Sequence, residues 1–273
     1  MFLDGFHVLF GEGSRDVLNF VGKYRLMKCV ESWDICLAAK RLDPSLIIVA
    51  RSLVTDYGTV DCPPDWMWGD PSLWWDGIKN HLPNGFDYYE VQNECGPPPQ
   101  GWPYWAEWSI KIAGMVERDK GGKLLAFSFP PGNPDYPQWP LLIDYLRFAA
   151  ATGHGVAIHS AAFATFPIPE GDVWVNNEHV ANRMEHVCIY LRNAAQFDCR
   201  TVLWITTETG LTDGYSGQWG GHEWSCAQEA NAYQTTRDFL KKQGIVRGFA
   251  WWNVGLVGRW KSVHSCLAEM LKN

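Results

Sequence analysis

Residues 178–210 read EHVANRMEHVCIYLRNAAQFDCRTVLWITTETG, and the stretch changes period once. Val180, Met184, Val187, Cys188 and Leu191 recur at three- and four-residue spacing, with Arg183 and Arg192 off that stripe. That spacing predicts an amphipathic helix over residues 178–196. The run 202–206 that follows is apolar and rich in β-branched residues, as expected of a strand covered on both faces. It gives way to Glu208 and then to a glycine.

The same alternation runs the length of the chain. Strand-like runs are expected at 7–10, 27–30, 46–50, 88–92, 124–129, 156–159, 202–206 and 246–251. Helical stretches are expected at 16–24, 33–41, 73–81, 105–119, 141–151, 178–196, 227–243 and 262–272, several stopping at glycines such as Gly121, Gly153 and Gly244. Strands alternating with helices imply parallel pairing through right-handed crossovers. Eight such units in 273 residues, with no linker between them, predict one (β/α)8 barrel domain spanning 1–273. The alternative is an open doubly wound sheet. Its usual glycine-rich phosphate turn is missing: FGEGSRD after the first strand holds two glycines but no GxGxxG.

Composition excludes several functions. Apolar residues make up 47% and charged residues 19%, enough for a large core. The net charge is −7 and no Lys or Arg run occurs, which argues against nucleic acid or an anionic membrane as partner. No apolar stretch reaches the roughly 18 residues of a membrane span. The opening MFLDGFHVLF carries no export signal, so localisation stays undetermined on these grounds. The eight cysteines form no CxxC pair and no zinc spacing; buried free thiols are the expectation, with Cys62 and Cys95 the first pair to test for a disulfide. The chain is read as a monomer.

Sixteen Trp stand out. Most fall after a predicted strand's C-terminal end or in the start of the next helix, among them Trp66, Trp68, Trp74, Trp75, Trp102, Trp105, Trp108, Trp219 and Trp224. In a barrel those segments share the face that carries active sites. About half of these indoles are expected in the core; the rest would line a cleft whose flat faces suit sugar rings. An acidic, Trp-lined cleft suits a neutral oligo- or polysaccharide.

Two carboxylates stand in corresponding places. The fourth strand leads into EVQNECGPPP, with Glu94 at the turn; alternation would put Tyr88, Glu90, Gln92 and Glu94 on one side. The seventh strand leads to Glu208. Glycoside hydrolysis needs such a pair, one protonated to assist the leaving group and one ionised to attack carbon or activate water. A separation of ~5–5.5 Å means retention and ~6.5–9.5 Å inversion.

Asn93-Glu94 after strand four and Thr207-Glu208 after strand seven, in an eight-unit barrel with an aromatic end to strand eight, resemble clan A of the retaining glycoside hydrolases. The resemblance implies that Glu94 is the acid/base and Glu208 the nucleophile. It also implies that Asn93 bonds the sugar 2-OH and that Trp251 or Trp252 floors the subsite that holds the reacting sugar. Arg51 and His159, ending strands three and six, would stand near the nucleophile. Trp102 and Trp219 would add substrate contacts. Cys95 departs from the Pro that many members carry after Asn-Glu, and TETG resembles β-glucanases acting on 1,3 linkages without fixing that assignment. The resemblance implies no cofactor and no metal, action inside polysaccharide chains, and an extracellular setting.

Softer candidates are Asp213, His222, Glu223 and Trp224 in the glycine-rich loop after strand seven, and Glu31, Asp56 and Asp61 after other strands. Two competing functions remain open: a non-catalytic sugar-binding barrel, and a metal-dependent hydrolase, for which no HxH occurs on the first strand.

Overall fold

The structure is a computed structural model describing residues 1–11, 13–59, 61–163, 183–212, 224–255 and 262–272. Eight strands form the expected closed ring. They are β1 (Leu3–Val8), β2 (Leu26–Val30), β3 (Ile47–Arg51), β4 (Tyr88–Glu90), β5 (Lys123–Phe129), β6 (Gly155–Phe163), β7 (Leu203–Thr212) and β8 (Val246–Val254). They hydrogen-bond in the order β1-β8-β7-β6-β5-β4-β3-β2. The pairing is parallel where β1 meets β2 and β8, where β3 meets β4, and where β5 meets β4 and β6. The fold is a (β/α)8 barrel; the open sheet is excluded.

The crossovers carry α1 (Trp33–Leu42), α2 (Pro71–Lys79), α3 (Trp102–Lys120), α4 (Ile143–Thr152), α5 (Arg183–Ala195) and α6 (Cys226–Gln243), and a short α7 (Leu267–Met270) follows β8. Local chemistry sets their ends. Asp70 caps α2 by accepting the Ser72 N–H at 2.9 Å, with Pro71 at the first helical position. Ser225 and Gln228 form a reciprocal capping box at the start of α6. Gly121 ends α3 at φ 74°, its N–H bonded to the Glu117 carbonyl, and Gly153 and Gly244 close α4 and α6 in the same way.

Several boundaries differ from the sequence reading. The first crossover is a 3-10 helix, Ser14–Phe20, and the helix expected at 262–272 shrinks to a 3-10 turn, His264–Cys266, and α7. β4 stops at Glu90, while β7 runs on to Thr212. A small hairpin pairing Val54–Thr55 with Gly58–Thr59 follows β3 where only a loop was expected. Among the described residues no helix is long and apolar enough to cross a membrane.

The chain divides into two compact units. One holds Met1–Ile48, His159–Arg183 and Thr206–Asn273; the other holds Val49–Ile158 and Met184–Ile205. The divisions fall inside β3, β6 and β7 rather than in a linker. In the first unit, Tyr233 of α6 stacks on Phe6 of β1 at 5.6 Å and meets Phe249 and Trp251 of β8 edge-on. In the second, Trp105 is the hub: Trp68, Trp102, Phe127 and Phe129 pack around it at 5.2–5.8 Å. Its indole N–H donates to Gln92 at 3.2 Å, and that of Trp74 to the Val91 carbonyl at 2.8 Å. Trp68, Trp74, Trp75, Trp105, Trp108, Trp139, Trp204 and Trp251 are all buried, so most of the indoles after β3 and β4 are core rather than cleft. Trp66 is exposed and Trp33, Trp102, Trp224 and Trp252 are half-buried.

The cysteines overturn the free-thiol expectation. All eight are paired: Cys29–Cys36 and Cys226–Cys266 in the first unit, Cys62–Cys95 and Cys188–Cys199 in the second. Proximity in the fold decides this, and sequence spacing could not. Loop closure gives about 4 kcal/mol for the 40- and 33-residue closures of Cys226–Cys266 and Cys62–Cys95, and about 2 kcal/mol for the 7-residue closure of Cys29–Cys36. Unreduced protein in denaturant should therefore show no thiol to Ellman's reagent. Replacing Cys226 and Cys266 by Ser should lower the melting temperature more than replacing Cys29 and Cys36. A reactive thiol, or the reverse order, contradicts the assignment.

Candidate active site

Glu208 lies within β7, nearly buried. A carboxylate at such a place needs a cation or several donors. Lys28 supplies one: its ammonium donates to Glu208 Oε1 at 2.9 Å, and its own side chain is fully buried. His159 Nδ1, also buried, stands 3.7 Å from Glu208 Oε2. β2 and β7 are separated in the ring by β1 and β8. Three interstrand steps are roughly 14 Å along the wall at ~4.8 Å each, so a contact of 2.9 Å must cross the hollow of the barrel.

The wall between them is continuous. Lys28 is the register partner of His7 on β1. The His7 ring packs on Trp252 of β8, centroids 4.4 Å apart. Five neighbouring strands of the ring, β6, β7, β8, β1 and β2, thus contribute His159, Glu208, Trp252, His7 and Lys28. Trp252 keeps part of its surface exposed, whereas Trp251 is fully buried and donates its N–H to Glu229 of α6 at 2.9 Å. Of the two aromatic candidates at the end of β8, Trp252 is the one a ligand could touch.

Glu94 belongs to the second unit. Because β4 ends at Glu90, the alternation expected to carry Glu94 to the side of Tyr88 and Glu90 does not reach it. Its backbone is left-handed, φ 53°, and its side chain is exposed. The Glu94 N–H is bonded to the Ser128 carbonyl at 2.9 Å. That carbonyl sits in a bulge of β5, where register shifts between Ala126 and Phe129 and where Phe127 and Ser128 also have positive φ, 78° and 44°. Non-glycine residues held this way cost on the order of 1–3 kcal/mol each and collect at functional sites. The segment is pinned again one residue earlier: the Asn93 N–H bonds to the Asp61 carbonyl at 2.9 Å, and Cys62–Cys95 ties the same two stretches covalently. The Asn93 Oδ1 is shielded from water and has no hydrogen-bond partner among the described residues.

Arg51 was expected beside the nucleophile. It forms an ion pair with Asp61 within the second unit. Asp56 pairs with His81 at 2.9 Å on the surface, and Glu31, half-buried after β2, is left-handed at φ 55°. Trp102 is half-buried and stacks on Trp105 at 5.6 Å. Trp219, Asp213, His222 and Glu223 lie outside the described residues, and Trp224 is half-buried.

Sequence reasoning missed Lys28 and Glu229. Lys28 was readable in principle: a lysine inside the apolar run LMKCV is almost never buried unless paired. Glu229 offered no such signal, since one acidic residue in the first turn of a helix is ordinary. Its burial pushes the carboxyl up to about 7, while the bond from Trp251 acts in the opposite sense.

No protein-family model matches the sequence, and no curated protein matches it. Solved structures do match in fold. A GH2 β-galacturonidase from Eisenbergiella tayi, solved with galacturonate, aligns over all of this chain and 51% of its own, with a TM-score of 0.58 and 11% identity. SrfJ from Salmonella typhimurium aligns over 93% of this chain and 65% of its own, with a TM-score of 0.51 and 16% identity. The β-glucanase SdGluc5_26A from Saccharophagus degradans aligns over 96% and 81%, with a TM-score of 0.50 and 14% identity. This chain spans about half to two thirds of the length of the first two. At such identities the likeness is one of fold: glycoside hydrolases are among the proteins that share this barrel.

Glu229 gives the site region a pH signature. With the folded value raised above the ordinary 4.5, its contribution is complete at acid pH and is lost as pH rises towards about 7. At ~1.4 kcal/mol per unit this amounts to roughly 3 kcal/mol. Urea unfolding at about pH 5 and about pH 8 should show a smaller loss of stability for Glu229→Gln than for the wild type. Equal losses would show that Glu229 is not held protonated.

Proposed function

We propose that the chain is a retaining β-glycoside hydrolase that cuts within a neutral polysaccharide such as a β-glucan or β-mannan. The observation that carries the reading is Glu208, a carboxylate in the barrel hollow gripped by Lys28 and flanked by His159. A barrel wall gains little from burying a charge pair, but a nucleophile needs an oriented, ionised carboxylate. Further support comes from the Asn93-Glu94 turn, pinned by strained backbone and a disulfide, and from Trp252 beside His7.

In this reading Glu94 gives its proton to the glycosidic oxygen as the C1–O bond breaks, its electron pair going to that oxygen. A Glu208 oxygen bonds C1 to form a glycosyl ester. Water then attacks C1 and Glu94 takes its proton. The C1–ester bond breaks, the pair returns to Glu208, and the sugar keeps its configuration. The Asn93 amide meets the 2-OH, the contact that tightens as positive charge develops on the ring. Trp252 lies under the apolar face of that sugar, and Trp102 and Trp219 are assigned to more distant sugars. The net charge of −7 favours a neutral substrate over an anionic one.

A panel of β-glucans, mannans, xylans and galactans identifies the substrate. On the polymer cleaved, Glu208→Ala and Glu94→Gln should each lose about 10³-fold or more in turnover. Azide should rescue Glu208→Ala and yield a glycosyl azide of inverted configuration. A chelator should leave wild-type activity unchanged. Near-wild-type turnover in either variant ends the proposal. Sugar binding without any cleavage favours the non-catalytic module, and inhibition by chelator favours the metal-dependent alternative.

A further inference from the structure

We infer that Lys28 is the positioning residue for Glu208, and that the carboxylate oxygen turned away from Lys28 is the one that bonds the sugar. The inference rests on the reading of Glu208 as nucleophile.

Three observations lead to it. Lys28 projects from the middle of β2, between Met27 and Cys29, and its side chain is wholly excluded from solvent. Burying an ammonium is costly, and an apolar side chain of the same length generally serves stability as well or better. The group has the look of one kept for what it holds. Secondly, of the two cationic or polar groups beside the carboxylate, Lys28 is at hydrogen-bonding distance, 2.9 Å from Oε1, while His159 is at 3.7 Å from Oε2. Oε1 is therefore the tethered atom, and Oε2 faces the histidine side. Thirdly, Lys28 is itself held from its flank: its register partner His7 packs against Trp252, the aromatic assigned to the reacting sugar.

The tether fits the chemistry of an ester intermediate. As Oε2 bonds C1, the leaving-group oxygen carries off the other electron pair and the Glu94 proton. Oε1 becomes the ester carbonyl oxygen and still accepts from Lys28. On hydrolysis the C1–Oε2 pair returns to the carboxylate, which regains its ion pair. Lys28 exchanges no proton. It fixes which oxygen attacks and the direction of attack, and a misplacement of about 1 Å at such an atom costs on the order of 10²-fold in rate.

The test is Lys28→Met, with Lys28→Gln as a second variant that keeps a donor without the charge. Circular dichroism and melting confirm folding. On the polysaccharide that the wild type cleaves, kcat should fall about 10²-fold with KM close to wild type. Crystal structures of wild type and variant should differ in the orientation of the Glu208 carboxylate. This second readout needs no substrate and stands even if no polymer is cleaved. Wild-type kcat in a folded variant overturns the inference while leaving the hydrolase reading intact, provided that Glu208→Ala is inactive. An unchanged Glu208 orientation in Lys28→Met overturns it as well. If Glu208→Ala is fully active, the functional reading fails instead.

Discussion

The ion pair between Lys28 and Glu208 is the constraint to which the rest of the site answers. Neither group could lie in the hollow of a barrel alone, because each would forfeit its hydration with nothing in return. Together they compensate one another, and the geometry of compensation is strict: an ammonium on β2 must reach a carboxylate on β7 across the ring. That reach is possible only in a closed ring of strands, where distant members face each other over a short gap. Closure of the sheet and the chemistry at its centre are in this sense one arrangement.

The architecture was largely legible because it depends on periodicity, which a sequence displays directly. Alternating runs gave all eight strands, and glycines after helices gave their ends at Gly121, Gly153 and Gly244. What was not legible depends on contacts between distant residues. The cysteine pairing is one case: separations of 7, 11, 33 and 40 residues carry no pattern, and only the folded chain brings the partners together. The tryptophans are another. An indole after a strand can turn to the cleft or beneath the loop, and Trp105 turned under, becoming the hub of the second unit's aromatic core.

The candidate site divides in the same way. Glu208 and His159 were found from their places after apolar strands, and the structure brings them beside one another. Arg51, chosen by the same logic, pairs with Asp61 instead, because a strand-end cation takes the nearest carboxylate that the following loop offers. Lys28 fills the role expected of it, from inside a strand where a charged residue is easily passed over. Glu94 was located by motif alone. The strand stops four residues earlier, and a β5 bulge, a backbone bond to Ser128 and the Cys62–Cys95 closure set its turn. Position along a strand predicts where a side chain begins; its partners decide where it ends.

The central claim is that Glu208 forms a covalent bond to sugar. Mechanism-based trapping tests it most directly. The wild type would be incubated with an activated 2-deoxy-2-fluoro β-glycoside of the sugar it cleaves, then digested and mapped by mass spectrometry. The account predicts one glycosyl adduct, on the peptide that carries Glu208 and on that residue. An adduct on another side chain, or none with a sugar that the enzyme demonstrably cleaves, would contradict it.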